Sequence, residues 1–265
     1  MKNILVWLKH VSKVGMTLMM AVNLTACAGW FGFGSTSWKE EVLLHDGSKI
    51  VVERSQSYGG RHEVGQAPPV KEHTITFTLP DSNKAITWKS EYGENIGRTN
   101  FNLLAVHVLN GTPYIVTSPN LCLSYNKWGR PNPPYVFFKY ASEEWQRIQI
   151  SEFPSEFNTI NLIVNNGREE DIKKASSKLG YVSAEGVRKI NSSLRQLAYQ
   201  SILRVPTRGD GGPATNCGEM IRVNDGWEGT GFFSGQPSYE ACLKYCERKE
   251  VSTQYCPCNR FFKGK

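Results

Sequence analysis

The chain has 265 residues, 40% of them hydrophobic and 21% charged, with 31 Lys and Arg against 24 Asp and Glu. Three of the lysines fall in residues 1 to 26, which hold no acid, so the rest of the chain carries 28 basic and 24 acidic residues, a net charge of +4. An excess that small, with only Tyr181 and Tyr199 among the bases of its most basic segment, argues against nucleic acid as a partner.

The amino terminus comes first in the chain and carries the clearest signal. Lys2, Lys9 and Lys13 form a positive head, and Val14 to Val22 form an uncharged apolar stretch too short to span a bilayer, which needs about 20 apolar residues. Leu24-Thr25-Ala26-Cys27 follows and resembles the bacterial lipobox, in which the cysteine receives diacylglycerol. Charged head, short apolar core and small-residue cut site make residues 1 to 26 a signal peptide. Cleavage before Cys27 would leave its thiol for thioether attachment and its amine for further acylation, and two or more acyl chains anchor a protein stably. Ala28 in place of Asp at the next position implies the outer membrane, facing the periplasm. The alternative is ordinary cleavage near Ala28, giving a soluble periplasmic protein.

Residues 27 to 37 read as the lipidated cysteine and a tether, its glycines unfavourable to a helix. Trp30, Phe31 and Phe33 suit either the membrane interface or packing on the body. Residues 38 to 165 read as β. Val42 to His45 and Lys49 to Arg54 flank Asp46-Gly47, a hairpin signal because both turn residues tolerate positive φ, and Asn110-Gly111 repeats it. His73 to Leu79 alternates, with Ile75, Phe77 and Leu79 on one face, as a half-buried strand does. Phe101 to Leu109 is apolar on both faces and is expected at the centre of a sheet. Tyr135 to Tyr140, Gln146 to Ile150 and Ile160 to Val164 complete seven or eight strands, which favour a sandwich or a bent antiparallel sheet.

Residues 166 to 204 turn helical. Arg168 to Leu179 is expected to end at Gly180, and Ser183 to cap a second helix reaching about Leu203. Val187, Ile190, Leu194, Leu197 and Ile202 form its apolar stripe, set to pack on the sheet or to fill a partner's groove. Within 168 to 204 eight bases face four acids, so this segment alone matches the net charge of the mature chain. It reads as a solvated face or as a surface for anionic head groups. Residues 205 to 265 read as a Gly-rich loop, to about residue 236, and a Cys-rich tail.

Besides Cys27 there are six cysteines: Cys122, Cys217, Cys242, Cys246, Cys256 and Cys258. An even set in an exported chain reads as a disulfide framework, since the periplasm oxidises thiols. The expected pairing joins Cys242 and Cys246 to Cys256 and Cys258 and leaves Cys122 to reach Cys217. Four thiolates on zinc are the alternative for the tail.

Catalytic motifs are missing. His62-Glu63 lacks the second histidine of a metalloprotease helix, there is no Gly-x-Ser-x-Gly elbow and no phosphate-cradling loop, and no cofactor or metal is expected. Two stretches are richer in interaction chemistry than a scaffold needs. Tyr58-Gly59-Gly60-Arg61-His62-Glu63 sets Arg61, His62 and Glu63 together on a flexible backbone, or is simply a polar loop tip. Residues 125 to 135, Tyr125-Asn126-Lys127-Trp128-Gly129-Arg130-Pro131-Asn132-Pro133-Pro134-Tyr135, combine prolines that lower the entropy lost on binding with Tyr125, Trp128 and Arg130, the residue types of binding hot spots. A rigid structural loop is the alternative.

These two stretches, together with Trp38-Lys39-Glu40-Glu41-Val42 and Asp46-Gly47, resemble an uncharacterised family of proteobacterial proteins over roughly residues 38 to 164. The resemblance implies no activity. The expectation is therefore an α+β protein with an antiparallel β-rich body, a helical segment and a small disulfide-rich tail. It would be held to the membrane by lipid and would act by binding an envelope protein or glycan. The alternative is a hydrolase of cell-envelope material with Arg61, His62 and Glu63 near Trp128.

Overall fold

The computed structural model describes residues 34–79, 82, 84–164, 167–207 and 216–262. The expected signal peptide, Cys27 and the expected tether with Trp30, Phe31 and Phe33 lie outside them. Four strands, β1 (Ser35–Leu43), β2 (Lys49–Tyr58), β3 (Val70–Thr78) and β4 (Ala85–Lys89), form an antiparallel sheet in that order. The short pair β5 (Tyr92–Gly93) and β6 (Arg98–Thr99) leads into a second antiparallel sheet. That sheet comprises β7 (Phe101–Leu109), β8 (Thr112–Pro119), β9 (Val136–Ala141) and β10 (Glu144–Ile148), ordered β10-β9-β8-β7. Val42, Val52, Ile75, Phe77 and Trp88 of the first sheet share one buried core with Phe101, Leu103, Val106 and Ile115 of the second, so the body is a sandwich.

Local chemistry sets the hairpins. Leu109 pairs with Thr112 across Asn110 and Gly111, at φ 50° and 69°, the two-residue turn whose twist matches that of the strands. The turn between β1 and β2 is longer: Gly47 sits at φ 84°, and Asp46 Oδ1 accepts from the Ser48 amide at 2.9 Å.

Strand β7 departs from expectation. It ends the hydrogen-bond ladder, yet all but its last residue are buried. The second sheet is covered on both faces, the far one by Phe153, Phe157, Ile160, Tyr199 and Ile202. The open edge is covered too. Leu162 donates its amide to the Leu104 carbonyl at 3.1 Å, and the Asn161 side chain accepts from Val106 N at 3.0 Å and donates to Val106 O at 2.8 Å. Residues 160 to 164 therefore lie along β7 without being the strand that their apolar run predicts. On the same side, Val182 exchanges two backbone hydrogen bonds with β1, from Glu41 N at 2.7 Å and to Lys39 O at 2.9 Å.

Helix α1 (Leu121–Lys127) occupies part of what reads in sequence as a loop. Helices α2 (Glu169–Ser176) and α3 (Ala184–Asn191) follow the sandwich. Ser183 caps α3 by accepting from the Gly186 amide at 3.2 Å. The helix stops twelve residues short of Leu203, because Ser192 and Ser193 turn their hydroxyls onto the carbonyls of Lys189 and Ile190, offering them an alternative to helical bonding. The expected stripe breaks there: Ile202 is buried but Leu197 is 56% exposed.

The stretch expected as a long loop instead holds the hairpin β11 (Met220–Val223) and β12 (Gly226–Gly229) and the short helix α4 (Gly231–Ser234). With α5 (Tyr239–Arg248) and α6 (Cys258–Phe262) they enclose a small core of Val223, Phe233 and Val251 around Cys242, Cys246 and Cys258. The disulfides are Cys122–Cys217, Cys242–Cys258 and Cys246–Cys256. No helix among the described residues is long and apolar enough to cross a membrane.

One end of the sandwich core is polar. Glu40 and Arg54 form a fully buried ion pair at 2.7 Å, and His73, also buried, accepts at Nδ1 from Gln56 Nε2 at 3.1 Å, as a neutral ring does. Burial, helped by the nearby Arg54 charge, lowers the His73 pKa from 6.5 to about 3. The unfolded chain then takes up a proton near pH 6.5 that the folded chain refuses, so His73 contributes a loss of stability as pH falls from 6.5 towards about 3. His107, lowered to about 4 by burial, acts in the same direction. Thermal midpoints followed downwards from pH 6.5 should therefore fall less steeply in His73→Gln than in the wild type, and parallel slopes would assign the acid sensitivity to other groups.

Candidate functional site

Helix α1 and the turn after it are fastened at both ends. The Ser124 hydroxyl donates to the Asn100 carbonyl, and Tyr125 is buried against Cys217, whose disulfide to Cys122 ties the tail to this helix. Gly129 and Arg130 adopt positive φ, 80° and 55°, which folds the chain back so that the Arg130 guanidinium lies over the Tyr125 ring at 5.0 Å. Arg130 donates to the carbonyls of Cys217 at 2.8 Å and Gly218 at 3.1 Å, and to Asn126 Oδ1 at 3.0 Å. Asn126 in turn accepts from Met220 N at 2.8 Å. Tyr125, Asn126 and Arg130 are thus struts that place residues 217 to 220, and with them the start of β11.

Between this turn and the tail lies a cleft of about 770 Å³. The sandwich contributes Lys127, Trp128, Arg130 and Arg147, and the tail contributes Glu219, Arg222, Trp227, Tyr255 and Arg260. Five cations thus face one carboxylate. Arg260 grips that carboxylate with both terminal nitrogens at 2.6 Å, and these hydrogen bonds hold Glu219 below the usual carboxylate range. Trp128 is half-buried. Its ring packs on Phe101, centroids 4.6 Å apart, and the Arg147 guanidinium lies 5.1 Å over it. Trp128 therefore serves as cleft wall and core lid at once. The indole Nε1 atoms of Trp128 and Trp227 are buried without a hydrogen-bond partner among the described residues.

Arg61, His62 and Glu63 are exposed and none lines this cleft. Gly60, at φ 96°, crosses so close to Gly97 that a Cβ would meet its carbonyl oxygen at 2.2 Å, and Arg61 donates its amide to that oxygen at 2.9 Å. The paired glycines therefore serve a backbone crossing. His62 bonds the Gly60 carbonyl and Glu63 bonds Gln66. No hydrogen bond among the described residues joins His62 to Glu63.

Sequence reasoning found the Trp128 side of the cleft and missed Arg147, Arg222, Trp227, Tyr255 and Arg260. These are scattered over more than a hundred positions, and only the Cys122–Cys217 link, which could be read, hinted that the tail meets this loop. For metals, the one group among the described residues with ligand atoms close enough is Cys242, Cys246 and Cys258, whose sulfurs lie within 4.8 Å of one another. Those sulfurs are also within disulfide geometry. No protein-family model, no curated protein and no solved structure matches this chain.

Proposed function

We propose that the protein is an outer-membrane lipoprotein, acylated on Cys27 and facing the periplasm, and that it acts by binding an envelope component in the cleft between the Trp128 turn and the tail. The sequence of the amino terminus supports the address, and three disulfide pairs suit an oxidising compartment. The observation that carries the binding role is the charge of the cleft. Five cations and one internally neutralised carboxylate converge with Trp227 and Tyr255 on one concave surface, where a scaffold alone would scatter them.

Cys27→Ser should remove the lipid mass and move the protein out of the membrane fraction, and an unchanged fraction would defeat the proposed anchor. A photo-crosslinker at position 255 in cells should capture a defined envelope component. If it captures no more than one placed at Val64, an exposed position that does not line the cleft, the cleft is not the binding site.

A further inference from the structure

The groups of the cleft differ in how far they are already engaged. Arg130 and Arg260 spend their terminal nitrogens on the Cys217 and Gly218 carbonyls and on Glu219. Lys127 reaches only Asn100 Oδ1 at 3.4 Å and Glu91 at 3.6 Å, and Arg222 uses one nitrogen on the Gly226 carbonyl. The Arg147 side chain makes no hydrogen bond or ion pair to a described residue. A guanidinium stacked on an indole uses its face and keeps its in-plane N–H fork for a bidentate oxyanion. All but one of the charged groups here are cations and the one carboxylate is taken by Arg260, while Asn95 and Gln254 add amides that can donate as well as accept. Beside them Tyr255 is 66% exposed, and Trp227 is half-buried, which leaves aromatic surface for the C–H face of a ring.

Resting on the cleft as the recognition site, we infer that its ligand is an acidic glycan, a short run of sugar rings bearing phosphate or carboxylate groups. Sugar rings stack on aromatic faces, and their acidic substituents supply the oxyanions that Arg147, Arg222 and Lys127 are placed to hold. The cleft volume of about 770 Å³ is that of a pocket for a compact ligand. A protein that tracks single-stranded nucleic acid needs instead a groove spanning several nucleotides.

The test titrates the mature protein, followed by tryptophan fluorescence. The probes are the phosphorylated core oligosaccharide of lipopolysaccharide, the same oligosaccharide after phosphate removal, carboxylate-bearing muramyl-peptide fragments, neutral maltohexaose, and oligothymidylate. Saturable binding is expected for the phosphorylated core or for the muramyl fragments, and which of them binds identifies the source of the acid group. Arg147→Glu and Arg222→Glu should each weaken it about tenfold or more with the thermal midpoint unchanged, and Tyr255→Ser should weaken it several-fold. Maltohexaose binding as tightly as the acidic glycans, or oligothymidylate binding more tightly, would overturn the inference. So would the failure of every acidic glycan while the crosslinker at position 255 still captures a protein, and the cleft would then remain a binding site with another ligand. Glycan binding that ignores both charge reversals would overturn the location instead.

Discussion

Glu40→Ala should cost about 3 to 5 kcal/mol of stability, the scale for breaking a buried ion pair from one side. Glu40 accepts from Arg54 Nη1 at 2.7 Å, from Trp38 Nε1 at 3.0 Å and, more weakly, from the Ile163 amide at 3.4 Å. Its removal leaves three donors without an acceptor. Arg54 is 1% exposed and already has Nε and Nη2 without partners among the described residues, and a guanidinium does not shed its proton to escape burial. The double replacement Glu40→Leu with Arg54→Met should recover most of the loss, because no charge is then buried. Denaturant midpoints of the three proteins decide the matter. A single-variant loss under about 1 kcal/mol, the scale of an exposed pair, would mean that water reaches this end of the core.

The second large effect is expected from Cys122→Ser with Cys217→Ser. The two cysteines are 95 residues apart, and closing a loop of that length restricts the unfolded chain enough that losing the link should cost about 2 to 5 kcal/mol. The same change should loosen the tail from α1, leaving the Arg130 and Asn126 hydrogen bonds to hold residues 217 to 220. Faster proteolysis between 205 and 220, with the sandwich fragment surviving, is the expected pattern. A midpoint equal to that of the wild type would show that those hydrogen bonds suffice alone.

What could be read from the sequence was what local chemistry decides. Asp46-Gly47 and Asn110-Gly111 marked two hairpins, the alternation around Ile75 and Phe77 marked a strand facing the core, and Ser183 marked a helix start. Other features depend on residues far along the chain. The apolar run of β7 is that of a central strand, and it ends its ladder only because Asn161 and Leu162 complete it. Glu40 and Arg54 alternate in phase with Trp38, Val42 and Val52 on the inward face of their strands, but their charge reads as surface, and only the pairing of the two across adjacent strands makes them interior. Half of the cleft stayed hidden because Arg147 and Tyr255 carry no local signature: Arg147 reaches Trp128 only through the pairing of the second sheet, and Tyr255 joins the cleft only once the tail has docked.

The four sheet edges of the sandwich are protected at different times. Strands β4 and β10 carry Lys89, Glu144 and Arg147, charges that discourage another strand from joining. Strand β7 has no charged residue, and its edge and that of β1 stay open until Asn161, Leu162 and Val182 reach them. All strands of both sheets are complete by Ile148, whereas the β7 edge waits for Asn161 and Leu162 and the β1 edge for Val182, 34 residues past Ile148. Premature termination within that interval would release a fully stranded but unsealed sandwich, prone to join its own copies edge to edge. The segment from Asn161 to Val182 is thus the closing seam of the body, and the chain has reason to keep it short.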